Sequence, residues 1–446
     1  MTQVIPRKAP MLVALCAGLM ALTACEAPDR ILPGERLGLR DMLDGGASAE
    51  AVPVNQSLPI NLPAQTSNAS WLQHPAAPAT RTENAAFSGA LQPLWSANIG
   101  AGDTRRGRIN AVPVAGSGRI FTLDSASTVT ATSTGGAALW TRSLVPPRDG
   151  DNQATGGGMA LADDALFVST GFGQLTALNP ATGDEFWVQD LDATGSGAPA
   201  VHGDLVYLVA GDSTAWAIER SNGRIRWQLD GLSDTDNVLG GPAPAVNDKL
   251  VIFSYGSGEI QAAFRKGGLT LWNSAIAGQR RGVAAATIDD ITGDPVISGD
   301  RVYAGSFSGR MAAMNVDSGE RIWTAPYGAL APVWVAGGSV FAVTDRNNLV
   351  RLSAEDGSLI WSVDLPGFQN PRRPKRRTAI YAQHGPVLAG GRLYVAGGDG
   401  QIRAFDPVSG AQVGAAEIQG GATTAPIVAG GVLYVVSARG QLHAFR

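Results

Sequence analysis

The chain is poor in the side chains that most chemistry needs. Its 446 residues include only two cysteines, Cys16 and Cys25, and four histidines, His74, His202, His384 and His443. Both cysteines lie near the start, so the body of the chain has no disulfide, no thiolate metal site and no thiol nucleophile. An oxidising compartment therefore presents no mispairing hazard. The histidines are scattered, and none has His-x-x-x-His metal spacing. There is no Gly-x-Ser-x-Gly nucleophile elbow. Gly156-Gly157-Gly158 is not followed by a Lys-Ser/Thr pair, so it is not a phosphate loop. The carboxylate pairs Asp163-Asp164 and Asp289-Asp290 sit near turns, where Asp commonly bonds to local backbone. Charged residues make up 16% of the chain and the net charge is −4, which gives no basis for nucleic-acid binding. The apolar run from Met11 to Leu22 is too short to span a bilayer.

What the chain has in quantity is glycine, 57 residues of it, and tryptophan at a regular interval. A glycine stands four residues before a tryptophan at Gly136/Trp140, Gly183/Trp187, Gly223/Trp227, Gly268/Trp272, Gly319/Trp323 and Gly357/Trp361. A seventh copy, Gly410 to Gly414, keeps the turn without the ring, and Trp95 stands alone ahead of the first copy. The tryptophans recur about every 38 to 51 residues, the period of a propeller blade. Between them come a turn such as Gly203-Asp204, a β-branched and aromatic run such as Leu205-Val206-Tyr207-Leu208, a second turn, and an alternating strand. Alternation suits a strand whose faces differ, and glycine suits turns requiring positive φ. Each unit thus reads as four short strands. A four-stranded sheet cannot bury both faces alone, so a large ring at the junction supplies packing area. Packing explains a repeated tryptophan better than an aromatic ligand stack.

Eight such units fit between residues 91 and 446, starting near Ala111, Gly158, Ala198, Pro242, Asp294, Ala331, Gly385 and Thr424. The last one stops at Phe445-Arg446, short of its final strand. The stretch from Leu91 to Ser96, with Trp95, resembles the missing strand. The expected fold is all-β: an eight-bladed β-propeller of four-stranded antiparallel blades, closed by an N-terminal strand. Seven blades is the alternative division.

Ahead of the propeller, Arg7 and Lys8 precede the apolar run, and Leu22-Thr23-Ala24-Cys25 follows it. This order resembles the signal and lipobox of bacterial lipoproteins. The resemblance implies cleavage of residues 1–24 and lipidation of Cys25, with several acyl chains giving firm anchoring. Glu26 rather than Asp after the cysteine favours the outer membrane. Residues 25–90 are rich in Pro, Ala, Ser and Asn and have few periodic apolar runs, so they read as a flexible linker. A short partner-binding segment around Trp71 is the alternative there. The basic insert Pro371-Arg372-Arg373-Pro374-Lys375-Arg376-Arg377 reads as a solvated loop, or as a contact for an acidic surface.

Units such as Ala177-Leu178-Asn179-Pro180-Ala181-Thr182-Gly183-Asp184-Glu185-Phe186-Trp187 resemble the repeats of pyrroloquinoline-quinone-type propellers. Two families share them. The quinoprotein dehydrogenases carry a quinone cofactor and Ca²⁺ on the propeller axis, and many of the alcohol enzymes use a vicinal cysteine pair that is absent here. The BamB family of outer-membrane protein assembly factors has the lipobox, the linker and a single eight-bladed propeller, and this chain is more similar to it. That resemblance implies a non-enzymatic scaffold with no cofactor and no metal. It sits on the periplasmic face of the outer membrane and binds BamA, other Bam components and unfolded outer-membrane protein clients. It also implies partner contacts at two inter-blade loops. The first holds Asp236, Val238 and Leu239; the second holds Arg280, Arg281, Asp289, Asp290, Thr292 and Asp294. The first loop has no arginine where the family has one, and Thr292 stands where a second acid is expected. The periodic Trp95, Trp140, Trp187, Trp227, Trp272, Trp323 and Trp361 are expected to be structural.

Overall fold

The computed structural model describes residues 54–75, 81–151, 153–162, 164–232, 241–276, 290–370, 372 and 379–446. Among them are eight antiparallel sheets of four strands each. Seven sheets are simple meanders. In the first, Val114–Gly116 leads outward through Arg119–Leu123 and Thr128–Ser133 to Ala138–Ser143. The eighth takes its outermost strand from the other end of the sequence: Pro93–Asn98 pairs with Gln441–Phe445, with Ser96 opposite His443 and Asn98 opposite Gln441. The eight-bladed ring and its closing strand are thus as the repeat spacing predicts.

The strands' burial follows their place in a blade. The second and third strands, such as Leu205–Val209 and Leu250–Ser254, are buried on both faces, because each blade is sandwiched between neighbours. The outermost strands alternate exposed with half-buried residues. In each outermost strand the residue before the tryptophan position is bulged out of register, as with Leu139, Phe186 and Ile322. The bulge turns that residue toward solvent and the following indole inward, except on blade six, where Ile360 is buried. Across from six of the seven indoles the third strand offers alanine, at Ala131, Ala177, Ala217, Ala262, Ala313 and Ala444, which leaves room for the ring, and Trp361 stands opposite Arg351.

The glycine four residues before each tryptophan has its partner in the preceding blade. A Cβ on Gly136, Gly183, Gly223, Gly268, Gly319, Gly357 or Gly410 would lie 2.6–2.9 Å from the ring of Trp95, Trp140, Trp187, Trp227, Trp272, Trp323 or Trp361 respectively. These glycines have φ between +70° and +88°, where an L side chain is strained in any case. The same turn accepts the indole N–H: each of the seven Nε1 atoms donates to a backbone carbonyl of the next blade at 3.0–3.2 Å. Ring face and ring edge are therefore both fixed by one turn of the neighbour. In six blades the ring also packs against a second-strand Phe or Tyr of its own blade, with centroids 5.7–6.0 Å apart.

Blade seven lacks the ring, because Gly414 occupies its place opposite Ala404. Its Tyr394 is met instead by Phe87, edge-on at 5.3 Å, and Leu91 lies beside Gly414. Phe87 and Leu91 are 6% and 5% exposed, although both belong to or border the expected linker. The described part of that linker is not a free spacer. Residues 54–75 and 81–90 form a strap lying against the propeller, and Ala85, Phe87 and Trp71 are core residues. The segment lacks periodicity because its backbone hydrogen bonds go mostly to the blades, apart from a single bridge in which Thr66 bonds to Asn84 and Ala86 of its later part.

Two outcomes test this account. Gly223→Ala and Gly338→Ala share a positive-φ cost, but only the first pushes a Cβ into an indole, since nothing lies near the Gly338 position. In urea denaturation Gly223→Ala should lose roughly 1–3 kcal/mol more than Gly338→Ala; equal losses would remove the ring-on-glycine lock. Phe87→Ala should cost about 3 kcal/mol or more, as for a core aromatic. An unchanged midpoint would return residues 81–90 to the status of a spacer.

Candidate functional site

Each innermost strand begins at an inter-blade loop and ends in a short turn to the second strand. The strap runs along the end of the ring that carries the short turns. Asn68 accepts from Gly430 N–H at 2.7 Å in blade eight, and Trp71 exchanges two backbone bonds with Ala115 of blade one at 2.7 and 2.8 Å. Leu161 of blade two donates to Leu72 O at 2.7 Å. The Gln73 amide bonds both backbone groups of Val201 in blade three. His74 reaches Asp294 at the entry to blade five. The later part continues the circuit. Arg81 donates to Ser298, Trp334 Nε1 of blade six to Glu83 O, and Gly390 N–H of blade seven to Ala85 O. On blade six the strap also covers the outer edge. Asn55 pairs with both backbone groups of Ser362 at 2.9 Å, and Arg351 donates to Leu58 O at 2.6 Å.

The strap floors a cavity of about 350 Å³ on the propeller axis. Its wall combines Trp71, His74 and Pro75 of the strap with residues from all eight blades, among them Asn110, Pro242, Asp294, Trp334, His384 and Thr424. Trp71 and Trp334 are stacked with centroids 6.1 Å apart and planes 23° from parallel. The wall is mainly apolar, with five proline rings.

Its strongest polar contact is between His74 and Asp294. Nδ1 lies 2.6 Å from Oδ2, while Oδ1 accepts the Ala243 N–H at 2.7 Å. Burial by itself lowers the pKa of His74. The attraction of the Asp294 carboxylate and the hydrogen bond to it together outweigh that, and the net displacement is upward. His384 has no such partner, and burial pushes it down to about 4, so it is neutral at neutral pH. The other two histidines lie elsewhere: His202 is paired with Asp248 at 3.0 Å, and His443 contacts Ser437.

The expected partner-contact residues divide into two groups. Asp236, Val238, Leu239, Arg280, Arg281 and Asp289 lie outside the described residues. Asp290 and Asp294 are 4% and 3% exposed, and Thr292 is half-buried on the cavity wall. Asp294 is therefore not a rim charge offered to a partner, because its two oxygens are taken by the strap and by blade four. Asp164 of the first carboxylate pair is held by Arg220. From the sequence, Trp71 is expected only as the centre of an alternative partner-binding segment and His74 has no role; neither is placed at the axis. The signal available was an aromatic and a histidine close together in an otherwise polar segment.

The cavity wall does not fit the quinone alternative. Among the described residues it has no lysine or arginine to meet an acidic quinone, and its one carboxylate, Asp294, is already engaged. No group of three or more potential metal ligands occurs among the described residues.

Comparison with known proteins agrees with the architecture. The profile of the family described as outer membrane protein assembly factor BamB matches residues 125–363 and 350–446. The chain belongs to the BamB family. Among curated BamB proteins, that of Yersinia pestis is 23% identical over 246 residues, covering 55% of this chain and 60% of its own length. That of Moranella endobia is 23% identical over 281 residues, covering 60% and 71%. The BamB crystal structure from Moraxella catarrhalis superposes with a TM-score of 0.64 at 19% identity, over 80% of this chain and 98% of that one. A europium-containing methanol dehydrogenase gives 0.62 at 15% identity, over 82% and 89%. At such identities these two structures share the fold, and the family is set by the profile.

The raised pKa of His74 gives the strap a pH dependence. A group whose folded pKa exceeds its unfolded value of 6.5 contributes fully below that value, and the contribution is lost as pH rises through the folded pKa. The amides of Trp71 and Leu161, corrected for intrinsic exchange, should therefore be better protected at about pH 6 than at about pH 8.5. Asp294→Asn should abolish the difference. An equal pH effect in wild type and variant would dissociate the strap from this pair.

Proposed function

We propose that this protein is a scaffold subunit of an outer-membrane β-barrel assembly machinery. In this reading it docks on BamA beside the other Bam components, assists the folding and insertion of unfolded outer-membrane proteins, and catalyses no reaction. Membership of the BamB family carries the proposal. Cleavage after residue 24 and lipidation of Cys25 would hold it at the periplasmic face of the outer membrane, with residues from 25 to the start of the strap as the tether.

The strap favours one docking face. It covers the end of the ring that carries the short turns, which leaves the inter-blade-loop end for a partner. Three exposed apolar side chains lie there: Leu232, 64% exposed, opens the loop after blade three, and Phe368 and Ile380, 41% and 58% exposed, flank the basic insert after blade six. An apolar centre within a charged rim is the usual composition of an interface. Asp236, Val238, Leu239, Arg280 and Arg281 are the proposed contacts. Asp294 acts by holding the strap, so a substitution there does not test docking.

Replacing Leu239, Arg280 and Arg281 together with Glu should reduce co-purification of BamA from detergent-solubilised membranes tenfold or more, a loss of about 1.4 kcal/mol. The melting temperature should be unchanged. Neutralising Arg372, Arg373, Lys375, Arg376 and Arg377 should have less effect. Normal retention by the loop variant would refute the choice of face. Failure of the wild-type protein to retain BamA would refute the assembly role. Cys25→Ser should move the protein to the soluble fraction in the same cells.

A further inference from the structure

The axial cavity has hydrogen-bonding capacity that the protein does not use. Trp71 Nε1, His74 Nε2 and Thr424 Oγ1 are buried without a partner in the protein, and all three residues belong to the wall. Leaving such groups unpaired costs about 1–3 kcal/mol each, so the wall is built to meet something polar. The indole can only donate. With Nδ1 of His74 turned to Asp294, the imidazole in its protonated form, which that carboxylate favours, presents Nε2–H as a second donor, and the Thr424 hydroxyl can serve as a third. The complement is a group with acceptor oxygens.

Charge narrows the class. Among the described residues the wall has no lysine or arginine, and its one carboxylate is already engaged by His74 and the Ala243 N–H. An anion would be buried without a counter-charge, and a cation would have to displace His74 from Asp294; either is costly. Most of the remaining wall is apolar, with the stacked Trp71 and Trp334 and the prolines, beside the polar side chains of Asn110, Thr292, His384 and Thr423. At about 350 Å³ the cavity is at the small end of the usual ligand-pocket range. We propose that the axial cavity is a binding site for a small, neutral, largely apolar molecule bearing one or two carbonyl oxygens, with Trp71, His74 and Thr424 as its donors. The inference does not depend on the assembly role. Because two of the donors lie on the strap, an occupant also fastens the strap to the ring.

The probe is N-acetyl-L-phenylalaninamide, neutral and free of indole, titrated into the full-length ¹⁵N-labelled protein. The Trp71 indole N–H resonance, assigned by Trp71→Phe, should shift downfield and saturate, and the Leu161 amide should gain exchange protection. His74→Ala and Thr424→Val should each weaken binding about tenfold, equivalent to about 1.4 kcal/mol. Thr424→Val separates binding from folding: it removes an unpartnered hydroxyl without changing shape, so the variant should melt no lower than wild type. N-acetyl-L-phenylalanine, with a carboxylate in place of the amide, should bind at least tenfold more weakly. A capped Ala-Ala-Phe-Ala-Ala peptide carries the same chemistry within a chain. If it binds as tightly as the amide, the site is one for a polypeptide segment and the small-molecule assignment fails. Absence of a saturable shift at millimolar probe, equal binding of the carboxylate, or full binding by Thr424→Val would each overturn the proposal.

Discussion

The ring depends on one contact made seven times, an indole lying flat on a glycine of the next blade. The contact needs a residue without a Cβ, because any Cβ would penetrate the ring, and it needs positive φ so that the turn presents its face and a carbonyl together. Those two demands give the Gly-x-x-x-Trp spacing a physical meaning. The glycine and the tryptophan of one motif do not touch each other: the glycine serves the blade before, and the tryptophan serves the blade after. Each motif thus links two junctions. Stability passes round the ring through nearest-neighbour interfaces, as in other repeat architectures, with closure removing the free ends.

The strap belongs to the same logic. Where the lock is absent, between blades seven and eight, the ring is completed by side chains from outside the repeats. Phe87 takes the aromatic position beside Tyr394, and Leu91 fills the space next to Gly414. From there the strap follows the innermost strands and closes one end of the axis. A surface that looks symmetric in sequence is therefore strongly polarised in three dimensions. One end is occupied by the protein's own chain, and the other carries the long loops and their exposed apolar residues.

Much of this was legible because a propeller writes its period into glycine and tryptophan. The eight blades, their starting points and the closing strand with Trp95 all follow from spacing and turn chemistry. The strap was not legible. Its side chains enter the propeller singly, so no period of 2 or 3.6 develops, and its Pro, Ser and Asn composition is that of a disordered segment. Asp294 misled for a related reason. An aspartate just before an inner strand reads as a loop charge, and only its pairing with His74, 220 residues away, makes burial tolerable. The axial cavity was equally hidden, since its wall takes small contributions from every blade and has no local motif.

The closing strand also sets an order of events. Pro93–Asn98 must pair with Gln441–Phe445, which lie at the far end of the propeller sequence. A chain emerging N-terminus first presents its outer strand, and Phe87 with it, long before the sheet they complete exists. Loop-closure entropy makes so distant a pairing slow, and blades formed earlier must wait with an open edge. The strap is the last element that can settle, because its binding track draws on blades one to three and five to eight. The same segment that finishes the fold thus reports that the fold is finished: a protein whose strap is docked is one whose ring has closed.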